Sequence, residues 1–317
     1  MSQPTNNQVH INRPLTNISV AYIQDDKEFI ADKVFPNVPV DKKSDSYFVY
    51  DKEAFARAIA HQREGAEESK GSGWKQGTES YNCKQQSFRH DVPADIAGNT
   101  DNPLDPYRDA TEFVTRAMLI KRETDFANAY FKAGVWANEE TPDAGDKWDA
   151  YGTSDPYTQV QDGIRTVQKS CLVKPNILLV GPEGFDALKN HPDLKDRFKY
   201  TTAESLTAEM IARVLGVQKV MVGEAVGVTN KENDTTTLDY VFGKGALLLY
   251  AAPRPSLLMP SAGYTFSWNT FGNKFGARID RFPMRHLNNS QRVEGDMAYD
   301  IKVVSADAAF YFDSVVS

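Results

Sequence analysis

One stretch narrows the choice of fold more than any other: "LDPYRDATEFVTRAMLIKRETDFANAYFKAG", Leu104 to Gly134. Leu104, Tyr107, Phe113, Val114, Ala117, Met118, Phe126, Ala127, Tyr130 and Phe131 recur at steps of three and four, the period of one face of a helix. Asp101 or Asp105 is placed to accept the first free amides, Pro106 suits the first turn, and Gly134 suits the stop. Arg116, Lys121, Arg122 and Glu123 read as the solvated side. A helix of about thirty residues would run ~45 Å at 1.5 Å per residue, well above the usual three turns.

What precedes this helix is extended and polar. "VFPNVPVDKKSDSYFVYDKEAFARA" (34–58) combines two prolines, a charged turn, an aromatic strand and a short charged helix, with no catalytic motif nearby. Pro36 and Pro39 hold the chain extended, since each fixes φ and removes a donor. "DSYFVYDK" is a strand signal, and "KEAFARAIAHQRE" spaces Phe55, Ala58 and Ile59 as a helix would. "GAEESKGSGWKQGTES" reads as a flexible loop, and "YNCKQQSFRHDVPADI" as the return strand. The excursion over 43–97 holds few apolar residues with which to bury itself. Before it, a polar start ("MSQPTNNQVHINRP") leads to a segment where Ile18, Val20, Tyr22 and Ile23 give some apolar grip.

After the long helix the pattern alternates. "DPYTQVQDGIRTVQKSC" predicts a second helix, "NILLVG" a buried strand, "PEGFDALKNHPDLKDRF" a short helix pair and "TAESLTAEMIARVLGV" an amphipathic helix. "VQKVMVGEAVGVTN" reads as strand and turn, and "LDYVFGKGALLLYAAP" as a strand with a Gly-Lys-Gly bend. This part has the pattern of a small mixed α/β domain. The end is β-rich: "AGYTFSWNTFG" alternates aromatics, "NKFGARIDRFP" would pair with it across a short turn, and "AYDIKVVSADAAFYFDSV" supplies further strands.

Composition excludes several classes. Among 317 residues, 41% are hydrophobic and 25% charged, enough for a core and against global disorder. A formal charge of −7 argues against a basic nucleic-acid-binding face, though not against proximity to packed DNA with its own counterions. The polar start lacks an apolar signal core, and runs such as 246–252 are too short to cross a bilayer. Cys83 and Cys171 form no CxxC pair; they read as two reduced thiols, with one disulfide left open.

The search for chemistry is thin. There is no phosphate loop, no GxSxG elbow and no dinucleotide turn; "GSGWKQG" spaces its glycines wrongly. His10, His61, His90, His191 and His286 are scattered, without metal-ligand spacing. The residues therefore give no catalytic, cofactor-binding or metal site. Cys171 reads as core packing rather than a nucleophile, His191 as a loop residue at a helix end, and Lys244 as part of a strand bend rather than a phosphate contact. Tyr264, Phe266, Trp268, Phe271 and Phe275 fit one face of a buried sheet better than a ligand platform. The acidic residues of "DKKSDS" and "GAEESK" read as a solvated rim.

Arm, extended loop, long helix, α/β domain and terminal strands, in that order, resemble the major capsid protein of tailed bacteriophages, with its HK97-like fold. The resemblance rests on the stretch 34–58, the helix 104–134, "NILLVGPEGFDALKNHP" and "SADAAFYF". It implies an α+β chain: an N-terminal arm (1–42), an extended β-hairpin loop (43–97), a peripheral domain (98–171 and 262–300) with its spine helix, and an α/β axial domain (172–261 and 301–317). It implies hexamers and pentamers closing an icosahedral head around double-stranded DNA, in a virion assembled in the host cytoplasm without a membrane. It also explains the early extended stretch, whose polar edges suit an element ordered by a neighbouring subunit. Tyr47, Phe48, Tyr50, Phe55, Arg57, Arg63, Lys70, Trp74 and Lys75 are the inter-subunit contacts it suggests. Loops near 201–205 and 230–237 would meet at the capsomer centre.

Some family members carry a long scaffolding segment before the arm; the short stretch before Val34 points instead to a separate scaffolding protein, beside a portal and an optional decoration protein. Others lock the shell with a lysine–asparagine bond, and Lys70 and Lys75 stand in the corresponding loop. Three alternatives remain open. A tail-tube component would be mostly β, which the long helix opposes. An encapsulin-like nanocompartment shell would share the fold. A soluble α/β enzyme would use the loop as a lid over Cys171, His191 or Lys244.

Overall fold

The computed structural model describes residues 28–50, 71–100, 105–198, 206–228, 237–255, 260–269 and 277–317, with isolated positions between 52 and 68. Most of the arm, most of the short helix expected after Asp51, and the loops at 201–205 and 230–236 lie outside the described residues. The chain runs through α1 (Ala31–Val34), β1 (Asn37–Val40), β2 (Ser44–Tyr50), β3 (Gln76–Asn82), β4 (Lys84–Val92), α2 (Ala94–Asn99) and α3 (Pro106–Tyr130). Next come β5 (Asn138–Glu140), α4 (Pro156–Cys171), β6 (Ile177–Val180), α5 (Pro182–Asn190), α6 (Pro192–Phe198), α7 (Ala208–Leu215), β7 (Lys219–Val222) and β8 (Val226–Val228). It closes with β9 (Leu238–Tyr240), β10 (Ala246–Leu249), β11 (Gly263–Trp268), β12 (Ala277–Met284), β13 (Ser290–Val303) and β14 (Ala309–Phe312).

The long helix is α3, 25 residues rather than about thirty, or ~37 Å. Its start is set by Asp105, whose side chain accepts from the amides of Tyr107 (3.0 Å) and Arg108 (3.3 Å), with Pro106 behind it. It stops a turn early because Phe131 leaves the helical region (φ −97°, ψ 57°). Gly134 lies in the following turn at φ +83°, where its N–H donates to the Glu139 carboxylate at 2.9 Å. Ala110, Val114, Met118, Phe126 and Ala127 are buried as the periodicity implied. Phe113 is 42% exposed, with edge contacts to Phe88 and His90 at 5.5 Å. The charged residues divide against expectation: Lys121 is exposed, but Glu123 is 1% exposed and faces the core.

α3 packs on a sheet built around β13. Met297 pairs with Ala277 of β12 and with Gln86 of β4, and Tyr299 pairs with Ser267 of β11 and with Lys84 of β4. A strand has two edges, so β4 flanks one side of β13, while β11 and β12 lie end to end along the other. β1 adds in parallel outside β11. The expected hairpin between "AGYTFSWNTFG" and "NKFGARIDRFP" is therefore corrected: the two segments share one long partner. The turn chemistry lies further on, where Asn288 (φ +50°) and Asn289 (φ +51°) close a β12–β13 hairpin; asparagine tolerates that left-handed region. Gly295 lets α3 approach, since a Cβ there would lie 2.3 Å from Met118 Sδ and 2.6 Å from Val114 Cγ1.

The second sheet runs β5-β14-β10-β6-β7. Its central strands are apolar throughout because both faces are covered. Leu179, Leu247, Leu249 and Tyr311 join the core beneath α3. Leu178, Val180, Leu248, Phe310 and Phe312 face α4, α5 and α7, where Val160, Ile164, Leu188, Ile211 and Leu215 complete a second core. "LDYVFGKGALLLYAAP" holds two strands rather than one. β9 pairs with β8 in a small ribbon, while β10 lies between β6 and β14.

Candidate assembly surfaces

One extended surface is the ribbon of β2 and β3, paired in register from Ser44↔Asn82 to Tyr50↔Gln76. Alternation puts Asp45, Tyr47 and Val49 on one face with Tyr81 and Glu79, and Ser46, Phe48 and Tyr50 on the other. Phe48 is 53% exposed and Trp74, just before β3, is 60% exposed. Lys75 is exposed, and Tyr50 is half-buried. Tyr47 lies over Phe266 of β11 and its hydroxyl donates to Glu79 at 2.7 Å. Phe55, Arg57, Arg63 and Lys70 lie outside the described residues. The expected excursion over 43–97 is corrected at its far end: β4 pairs along β13 from Lys84 to Val92 and belongs to the subunit's own sheet. Its outer end is tied by Asp91 and Arg292 in a two-pronged ion pair (2.6 and 2.9 Å), which holds the aspartate below the usual carboxylate range.

The root of the arm is a second contact region. Phe29, Ile30, Ala31, Val34 and Phe35 are buried, and Phe35 packs against Phe126, Tyr130 and Trp136. Glu123 accepts the amides of Ile30 (3.0 Å) and Ala31 (2.9 Å), one on each oxygen, and so caps α1 from the side of α3. Burial pushes its pKa up to about 7; the two amides pull the other way, Asp32 adds to the rise and Arg122 opposes it. The sequence signal for Glu123 was position: it stands three and four residues before Phe126 and Ala127, on the apolar stripe.

The chemical candidates of the alternative enzyme reading are not brought together as a site. Cys171 is buried at the end of α4, where burial raises its thiol pKa. His191 is fully buried after α5; Nε2 lies 3.2 Å from Ser154 Oγ and Nδ1 accepts the Asp193 amide at 3.3 Å. Lys244 reaches the carbonyl of Ser317 and stands 3.8 Å from Glu183. Tyr264 and Phe266 are buried in β11, with Thr265 and Ser267 equally buried on the opposite face; Phe271 and Phe275 lie outside the described residues. Among the described residues no group of His, Cys, Asp or Glu is arranged to hold a metal ion. No helix among them is long and apolar enough to cross a membrane.

Comparison with known proteins agrees with this architecture. Residues 121–258 match the family model "Phage major capsid protein E". The major capsid protein of Pseudomonas phage JBD67 is 25% identical over 97% of both chains. That of Burkholderia phage BcepMu is 24% identical over 79% of this chain and 81% of its own. Among solved structures, a phage-related protein from Bordetella bronchiseptica has a TM-score of 0.73 at 22% identity, covering 93% of this chain and 95% of its own. The mature capsid subunit of bacteriophage PhiM1 has a TM-score of 0.58 at 11% identity, covering 96% and 92%. The fold is that of the HK97-like class of phage capsid structures. Within that class the chain is similar to phage major capsid proteins.

Proposed function

We propose that this subunit assembles with copies of itself into hexamers and pentamers that close an icosahedral head around double-stranded DNA. The observation that carries the reading is the β2–β3 ribbon. Seven paired residues on each side leave outer edges unpaired among the described residues, and more than half of Phe48 in the ribbon, and of Trp74 just before it, is exposed to solvent. Exposed strand edges of this kind invite pairing with another chain, and repeated weak contacts closed by symmetry give a stable shell. In this reading the arm is 1–42 and the loop is the part of 43–97 that precedes β4. The peripheral domain is 98–171 with 262–300, and the axial domain 172–261 with 301–317. Thr201 to Ser205 and Asn230 to Thr237 converge at the capsomer centre. The role is structural rather than catalytic. A separate scaffolding protein and a portal are its partners, with a decoration protein optional, and assembly takes place in the host cytoplasm.

The test is negative-stain microscopy with light-scattering mass, on protein expressed with and without the candidate scaffolding protein. Rings of five or six subunits, or closed shells, are expected. A uniform monomer or dimer under every condition would overturn the reading. A nanocompartment shell would also close, but would package a protein cargo rather than DNA.

A further inference from the structure

We propose that Tyr47, Phe266 and Tyr81 form a clamp that fixes the direction of the β2–β3 ribbon in the unassembled subunit, so that the ribbon meets its neighbour already aimed. Phe266 is the fixed jaw: it is 5% exposed, in a strand paired with β1 on one side and β13 on the other. The ring of Tyr81 stacks on it at 4.6 Å and 12°, and that of Tyr47 at 5.3 Å and 30°. The two tyrosines come from different strands of the ribbon but share one face, as the pairs Asp45↔Tyr81 and Tyr47↔Glu79 require. One ring contact would leave the ribbon free to swing about it; two, on opposite strands, resist both tilt and twist.

The feet are tied as well. The Asn82 amide donates to the Asp300 carboxylate at 2.8 Å, the Cys83 amide to the Lys43 carbonyl at 2.8 Å, and Trp268 Nε1 to the Asp41 carbonyl at 3.1 Å. Cys83 is fully buried and its thiol lies 3.5 Å from the Phe266 carbonyl oxygen. Past the clamp, Phe48 and residues 76–80 of β3 are exposed. A lever held only at its root pays its ordering entropy before it meets a partner, which favours association. The assembly half of the proposal rests on the reading of the ribbon as an inter-subunit element; the clamp itself does not.

The experiment uses the full chain. Hydrogen exchange is measured on the unassembled subunit for wild type, Tyr47→Leu and Tyr47→Phe, then shell formation is followed by light scattering. Leucine keeps apolar bulk but loses the stacked ring; phenylalanine keeps the ring and loses only the bond to Glu79. The expected result for Tyr47→Leu is exchange about 10-fold faster in β2 and β3, the size of one stacked aromatic pair. β6 and β13 should stay unchanged, and Tyr47→Phe should match wild type. Assembly by Tyr47→Leu should begin more slowly and still reach shells of the same size. Unchanged ribbon exchange, or a rise spread evenly over every strand, overturns the clamp. Faster ribbon exchange with an unaltered assembly rate overturns the pre-aiming. Absence of shells from wild type under all conditions contradicts the assembly reading and leaves the exchange result to decide the clamp.

Discussion

β3 and β4 are consecutive strands separated by Cys83 alone, and they meet opposite fates. β4 lies along nine residues of β13, from Lys84↔Tyr299 to Val92↔Gln291. Phe88 and His90 of β4 meet Phe113 of α3, and Val92 is 3% exposed. Among the described residues β3 pairs with β2 alone, and apart from Tyr81 its residues are exposed. The difference lies in side-chain pattern. β4 alternates residues that fit a helix with residues that fit solvent; "QGTES" in β3 offers nothing to bury. An extended appendage thus begins where alternation fails, at the buried thiol of Cys83, and not where the sequence first becomes polar.

The joined half breaks most readily at Gly295, where β13 passes beneath α3 with β4 and β12 on its flanks. Gly295→Val would drive Cβ into Met118 and Val114, so the expected loss is about 3 kcal/mol or more, or no folded subunit at all. Urea unfolding followed by far-UV circular dichroism measures it. A loss below 1 kcal/mol would mean that α3 is not pressed on β13 as described.

The arm root is tied to α3 in part by Glu123, a titratable group, which makes its contribution depend on pH. Glu123 has its pKa raised from 4.5 to about 7 in the folded subunit. A raised carboxyl stabilises the fold fully below its unfolded value, and that stability is lost as pH rises through the folded value. Between pH 4.5 and 8 the loss from this group is roughly 3 kcal/mol at most. Glu123→Gln should flatten this part of the stability–pH curve, measured by urea midpoints at several pH values. An unchanged slope would show that other groups set it. A smaller effect is expected where β4 is tied at its outer end. Asp91→Ala leaves the mostly buried Arg292 without its two-pronged partner and should cost about 1–3 kcal/mol, with exchange rising first near Val92.

Much of the fold was legible in the sequence because its signals are local. Asp105 and Pro106 announce α3, Asp155 and Pro156 announce α4, and the continuous apolar run 177–180 is a strand buried on both faces. What was not legible depends on distant partners. Whether β12 turns back on β11 or continues in line is decided by the length of β13. Glu123 looked solvated because charge usually is; only the amides of Ile30 and Ala31, more than ninety positions earlier, make its burial tolerable. The ribbon was legible as an appendage, but Tyr47, read as a contact for a neighbour, has its ring on Phe266 of its own chain.

The sharpest separation of β3 from β4 comes from the smallest effect on stability. Trp74 and Phe48 are 60% and 53% exposed, so more than half of each stays in water when the subunit folds. Trp74→Ser and Phe48→Ser should each change unfolding free energy by no more than about 0.5 kcal/mol, as exposed substitutions do. The exposed part of each residue can be buried against another copy, where large rings carry a disproportionate share of binding energy. Shell yield, read by sedimentation of assembled against unassembled protein, should therefore fall severalfold while the urea midpoint stays put. A matching substitution on the joined side, Phe88→Ser, should behave in the opposite way, because Phe88 meets Phe113 of its own subunit: stability should fall, and assembly only as far as folding does. If the two sides respond alike, exposure in the subunit does not mark the surface that assembly uses.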